Sequence, residues 1–151
     1  MKPFSVRLTQ LSDLDVLSTL FDSYRQFYGR ASDLAAAKEF LLARISQEES
    51  VSFIAYTGDT AIGFTQLYPS FSSVSLARVY ILNDLFVTEA ARRQGAASLL
   101  IANAISYAGS KAAVRVSLST ATTNAAAQAL YQSLGWQRDE QFLVYHFAIG
   151  Q

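Results

Sequence analysis

No cysteine occurs in the 151 residues, which removes disulfides, thiolate metal sites and a cysteine nucleophile from consideration. The single histidine, His146, cannot build a multi-histidine metal centre within one chain, so no metal is expected. Pro3 and Pro69 are the only prolines, and no linker-like stretch or internal repeat interrupts the sequence. One domain spanning residues 1–151 is therefore expected. Charged residues make up 16% of the chain, well below the usual ~25%. Twelve Lys plus Arg balance twelve Asp plus Glu, so there is no basic excess to capture nucleic acid. No apolar run reaches the ~18 residues a membrane helix needs. The opening MKPFSVRLTQLSDLD lacks the apolar core of a signal peptide. These absences point to a cytoplasmic protein with neither nucleic acid nor membrane as partner.

What remains is apolar: 51% hydrophobic residues, 13% of the total aromatic, enough for a substantial core. Phe4–Thr9 alternates as a strand does, and Ser12 followed by Asp15 reads as a helix start. Leu14, Leu17, Phe21, Tyr24 and Tyr28 keep helical spacing, and a second helix is expected from about Leu34 to Gln47. Val51–Tyr56 and Ala61–Tyr68 read as strands joined at Gly58-Asp59, followed by a loop over Pro69–Ser73. Val79–Val87 is apolar on both faces, as a central strand should be. Ala90–Ala108 reads as a helix stopped by Gly109, Val114–Leu118 as a strand, Asn124–Leu134 as a helix ended by Gly135, and Phe142–Ile149 as a last strand. This order predicts an α/β domain with a mixed sheet.

Two segments carry chemistry. Around Arg92-Arg93-Gln94-Gly95-Ala96-Ala97 a buried strand runs through small residues into a helix. The main chain there is open to close approach, helix-terminal amides and the dipole favour an anion, and two arginines stand beside them. Such a turn suits a pyrophosphate. Farther on, Asn124 and Tyr131 lie seven residues apart, close to two helical turns, with Ala127 between them.

Together the segments resemble the GNAT family of N-acetyltransferases. Its pyrophosphate loop, Arg/Gln-x-x-Gly-x-Gly/Ala, is matched by Arg92, Gly95 and Ala97. Its later helix, Asn-x-x-Ala-x-x-x-Tyr-x-x-x-Gly-Phe, is matched by Asn124, Ala127, Tyr131 and Gly135, with Trp136 for Phe. The resemblance implies a mixed, mostly antiparallel sheet with splayed parallel strands, Val79–Val87 and Val114–Leu118. It implies acetyl-CoA as co-substrate, held by the backbone of Leu85, Phe86 and Val87, by residues 92–97, and by Asn124, Ala127 and Tyr131. Transfer to a primary amine by direct attack follows, with Tyr131 returning a proton to the CoA thiolate. A homodimer is the expected assembly. An acyl-CoA-binding module without turnover is the alternative on the same fold.

Tyr80, Leu82, Asp84 and Val87 look like the Tyr-x-Leu-Glu-Asp-x-x-Val strand of the polyamine and histone acetyltransferase branch, and Asn83 stands where Glu is usual. An amide cannot serve as a general base. Asp84 and Asn83, the latter through a held water, are thus the expected groups that receive the amine's proton. If the strand is regular, Tyr80, Leu82, Asp84 and Phe86 share one face. Asp84 is then either tied to Arg78 or another cation, or faces the cleft and attracts a small cationic amine or lysine-like side chain. Tyr24, Phe27, Tyr28 and Tyr80 are expected to line the acceptor site. His146, among large apolar residues, reads as structural.

Overall fold

The computed structural model describes residues 3–150, which divide at Ser119/Thr120 into two compact units. The first contains β1 (Ser5–Leu8), α1 (Leu14–Phe27), α2 (Leu34–Ser46), β2 (Val51–Thr57), β3 (Thr60–Ser72), β4 (Ala77–Val87), α3 (Ala96–Ser110) and β5 (Val116–Ser117). The strands form one sheet in the order β1-β2-β3-β4-β5, antiparallel throughout except for the parallel β4–β5 pair. The expected mixed, mostly antiparallel sheet is therefore present.

Each face of the sheet has its own core. Leu14, Leu17 and Phe21 of α1 and Ala37 and Leu41 of α2 pack on Ile54, Phe64 and Phe86. Leu100 and Ala96 of α3 pack on Phe53, Ala55, Ile62 and Val87. Burying each Leu or Phe contributes about 1.5–3 kcal/mol. Alternation along β2 sends Phe53 and Ala55 to one face and Ile54 to the other. The register break at Ile62 in β3 sends Ile62 and Phe64 to opposite cores. The start of α1 differs from expectation. Asp13, not Asp15, reaches back, its Oδ2 accepting the Gln10 N–H at 2.9 Å while Arg7 donates to Oδ1 at 2.7 Å.

Three boundaries moved for physical reasons. β3 continues through the expected loop to Ser72, with Pro69 opposite Tyr80. β2 pairing stops at Leu67, and Tyr80 turns its own N–H to Arg115 O at 3.0 Å. Pro69 thus faces no partner that needs its missing N–H. The helix expected from Ala90 begins only at Ala96, because Arg93 (φ +63°) and Gly95 (φ +95°) are left-handed and leave residues 89–91 as one 3₁₀ turn. Gly109 lies inside α3; the stop is Ala112 at φ +59°.

The second unit contains α4 (Ala125–Ser133), capped by Asn124 Oδ1, which accepts the Ala127 N–H at 3.1 Å. Gly135 (φ +91°) ends it, with Trp136 N–H donating to Tyr131 O at 3.0 Å. Residues 142–149 form no strand, contrary to expectation. A strand exists only against a neighbouring strand, and the described residues of this unit contain no other.

Candidate functional site

β4 changes character at Asn83. The register runs Gln66↔Asp84 and then Leu67↔Leu82, so Asn83 has no residue opposite it and forms a bulge. The extra residue shifts the side-chain alternation by one. Tyr80 therefore lies on the α3 face, its ring 6.0 Å from that of Tyr107, whereas Asp84 and Phe86 lie on the α1 face. The regular-strand expectation that Tyr80, Leu82, Asp84 and Phe86 share a face is wrong for this reason. Tyr80 is not brought together with Tyr24, Phe27, Tyr28 and Asp84.

Beyond the bulge β4 has one neighbour. Pairing with β5 covers only Tyr80↔Val116 and Ile81↔Ser117. On the other side, Thr88 N–H donates to Ile62 O and Thr65 Oγ1 to Asp84 O, both at 2.8 Å. Even-numbered residues here thus turn their backbone toward β3, and by alternation Leu85 and Val87 turn theirs toward the open edge. Gly63 permits the tight β3–β4 approach: a Cβ on it would stand 2.6 Å from Phe86 O.

The strand leads into residues 92–97. Arg92 Nε donates to Val87 O at 2.8 Å, and its guanidinium lies 5.1 Å from the Phe27 ring centre and 5.7 Å from that of Phe86. Gln94 Nε2 donates back to Ala90 O at 3.3 Å, and Arg93 projects from an exposed, left-handed position. Gly95 has no side chain to cap α3, so the first-turn amides of Ala96 and Ala97 have no intrahelical acceptor. A Cβ on Gly95 would meet nothing within 4 Å beyond its chain neighbours, so a side chain there would enter open space.

On the α1 face, Tyr24 packs 5.6 Å from Phe64 and 6.1 Å from Phe86, and Phe27 lies 6.4 Å from Phe86. Phe27 and Tyr28 are mostly exposed at the end of α1. Behind this aromatic wall sits Asp84, only 5% exposed. Gln66 Nε2 donates to its Oδ2 at 2.8 Å and Asn83 Nδ2 to its Oδ1 at 3.1 Å, and the Tyr24 hydroxyl also bonds it. Among the described residues no Lys or Arg pairs with it; Arg78, one expected partner, lies over the rings of Phe71 (4.4 Å) and Tyr80 (5.9 Å). Burial raises the Asp84 pKa, opposed by the bonds from Gln66, Tyr24 and Asn83. Burial also raises Tyr24, and pushes Tyr68 up to about 12, with the nearby Asp84 charge adding to both. Gln66 and Tyr68 were missed by the sequence reading. Gln66 sits as an ordinary polar residue in an alternating strand, and only the register places it opposite Asp84.

In the second unit, Asn124 spends Oδ1 on its own helix, and the Tyr131 and Trp136 rings lie 5.9 Å apart, tilted by 52°. Among the described residues no group of three or more His, Cys, Asp or Glu is placed to hold a metal, and no helix is long and apolar enough to cross a membrane.

The sheet thus has a bulged central strand whose pairing with its parallel neighbour ends at Ile81, and an uncapped helix N-terminus follows that strand. The model of the Acetyltransferase (GNAT) family matches residues 15–136, and the chain belongs to that family and is an acetyltransferase. It is 46% identical over 141 residues to the protein named uncharacterized N-acetyltransferase YhfO of Bacillus subtilis (strain 168), covering 93% of this chain and 95% of that one. The crystal structure of a probable acetyltransferase is 42% identical with a TM-score of 0.92, covering 97% of this chain and 99% of that chain. An aminoglycoside N-acetyltransferase solved in complex with CoA shares the fold, with a TM-score of 0.81 at 21% identity, covering 97% and 96%.

Proposed function

We propose that the chain transfers an acetyl group from acetyl-CoA directly to a primary amine on a small cation, such as a diamine or polyamine, or on a lysine-like side chain. The observation that carries the acceptor class is Asp84, a buried carboxylate with neutral donors and no cation of its own, set behind an aromatic wall. A buried charge is costly unless it is paired, and a cationic acceptor supplies the missing partner.

The fit to acetyl-CoA rests on the clear space above Gly95 and the uncapped first turn of α3, where amides and dipole suit a pyrophosphate. Gly95, Ala96 and Ala97 form the cradle, and Arg93 and Gln94 flank it. Arg92 ties the loop to β4 and to the acceptor wall. The open-edge amides of Leu85 and Val87, with Phe86 between them, are placed to donate to the pantetheine and the thioester carbonyl, a preorganised donation that is usually the largest catalytic term. Acetyl-CoA supplies an activated acyl carbon with a thiolate leaving group. Asp84 takes a proton from the bound ammonium, since only the free amine has a lone pair. The nitrogen then bonds the carbonyl carbon and gives up its extra proton to solvent as the C–S bond breaks. Tyr131, with Asn124 and Ala127 on the same helix, protonates the departing thiolate and retakes a proton from solvent. Tyr24, Phe27 and Tyr28 hold the acceptor's carbon chain, and a water on Asn83 passes the Asp84 proton to solvent. We place the protein in the cytoplasm as a homodimer, which sedimentation equilibrium at micromolar concentration tests.

The decisive experiment is free-thiol release from acetyl-CoA with polyamines, amino acids, aminoglycosides and peptides as acceptors. Cationic amines should turn over best, with Tyr131→Phe at least ~10-fold slower and acetyl-CoA affinity nearly unchanged. Preference for acidic or neutral acceptors would reject the assignment.

A further inference from the structure

We infer that Gln66 is a positioning residue: its side-chain amide clamps Asp84 in the orientation in which that carboxylate meets the acceptor. The inference rests on the reading of Asp84 as proton acceptor and goes one layer behind it. Gln66 is 1% exposed and stands directly opposite Asp84 across the β3–β4 pair, immediately beside the Asn83 bulge. Its Nε2 donates to Asp84 Oδ2 at 2.8 Å and to the Tyr68 hydroxyl at 3.2 Å. Its Oε1, also buried, has no hydrogen-bond partner.

An orphaned buried amide oxygen is costly, and an apolar residue of similar volume would avoid the cost altogether. The amide cannot relieve it by flipping, because Oε1 would then face a carboxylate oxygen. The arrangement is therefore explained by what Nε2 does. Without this donor, Asp84 Oδ2 would lose a close neutral partner while staying buried.

The bulge completes the clamp. Asn83 reaches Oδ1 from the next residue, Tyr24 reaches the carboxylate from α1, and Gln66 reaches Oδ2 from β3. The titratable groups facing Asp84 are the phenols Tyr24 on α1 and Tyr68 on β3, and Arg44 of α2 acts on Tyr68. All three donors to the carboxylate are neutral, so the charge of Asp84 stays uncompensated while its orientation is fixed. That combination suits a group meant to meet a transient cation. The effect of Gln66 also has a direction: it favours the charged form against burial, and its loss should raise the proton affinity of Asp84 further.

The test is the titration of Asp84 by carboxyl ¹³C NMR in ¹³C-aspartate-labelled protein, with Asp84→Asn identifying the resonance. Gln66→Leu should move the midpoint upward by at least ~1 pH unit, a tenfold gain in proton affinity. Gln66→Met, unbranched and of similar volume but with no donor, should move it upward as well, and it guards against a packing artefact in the Leu variant. With acetyl-CoA and 1,4-diaminobutane, the acidic limb of kcat/KM should shift in the same direction, while KM for acetyl-CoA stays put. An unmoved NMR midpoint in both variants overturns the role of Gln66 and leaves the proposed reaction standing. A moved midpoint with an unmoved rate limb overturns Asp84 as the proton acceptor, and with it the catalytic meaning of the clamp.

Discussion

The two halves of β4 are built on opposite plans. From Ala77 to Leu82 the strand runs beside β3, pairs with β5 as well at Tyr80 and Ile81, and buries Val79, Tyr80 and Leu82. From Asn83 to Val87 it has β3 alone, carries a bulge, and buries a carboxylate among amides and phenols. The first half satisfies its backbone within the sheet and contributes stability. The second leaves backbone donors open at Leu85 and Val87 and keeps a charge without a counter-ion, which costs stability and, on the proposed reaction, would supply reactivity. One unpaired residue, Asn83, produces the change: it moves Asp84 to the α1 face and coincides with the loss of the β5 partner.

The largest effect expected from breaking the second half alone is on cofactor affinity. Gly95→Glu puts a side chain and a like charge where the proposed cradle would hold a pyrophosphate. Beyond its two chain neighbours no residue lies within 4 Å of the new Cβ, so the damage falls on the ligand, apart from the strain of a left-handed non-glycine residue. Acetyl-CoA affinity should fall about 100-fold or more by isothermal titration, with the circular dichroism of the fold retained. Near-native binding would show that this loop is not the cradle.

A substitution at the seam between β3 and the open half should act on stability instead. Gly63→Ala brings a methyl group to 2.6 Å from Phe86 O and 3.3 Å from Val87 Cα, both backbone atoms that yield only if β4 moves. Overpacking of this kind costs about 1–3 kcal/mol, and urea unfolding should show it. The Leu85 and Val87 amides would be displaced with the strand, so catalysis should suffer beyond the loss of folded protein. A stability equal to wild type would mean that the two strands can part freely here.

The contrast between the halves was only partly legible in the sequence. The Gly58-Asp59 hairpin, both early helices and the cap of α4 at Asn124 were readable because turn residues and periodicity act locally. The bulge was not, since nothing in VYILNDLFV distinguishes an unpaired Asn83 from a paired one; only the register against Gln66 and Leu67 decides it. Tyr80 was assigned to the acceptor site for the same reason. The late start of α3 was hidden because a left-handed Arg93 has no sequence signature. The loop residues, Asp84 and the α1 aromatics were legible as types, but the clamp by Gln66 needed the strand pairing.

The smallest expected effect concerns the stability that the buried charge of the second half withholds. Burial raises the pKa of Asp84 in the folded chain above the ordinary carboxylate value near 3.8, against which Gln66, Tyr24 and Asn83 pull only part of the way back. A carboxyl group with a raised folded-state pKa favours folding while it is protonated. That contribution is complete below the unfolded value and is lost as pH climbs through the folded one. The wild-type protein should therefore forgo stability above that range, and Asp84→Asn, which has no charge to bury, should not. The amide oxygen of the variant can still accept from Gln66 Nε2, and the exposed Asn83 side chain can turn its own oxygen to the new NH₂ group. The melting temperature of Asp84→Asn minus that of wild type should be near zero or negative at pH 4. It should turn positive by pH 8, by about 2–4 °C for each kcal/mol recovered in a chain of this length. Every other acid titrates in both proteins and cancels from the difference. A difference that stays flat from pH 4 to pH 8 would show that the Asp84 charge costs nothing in the fold, and the two halves of β4 would then differ in pairing alone.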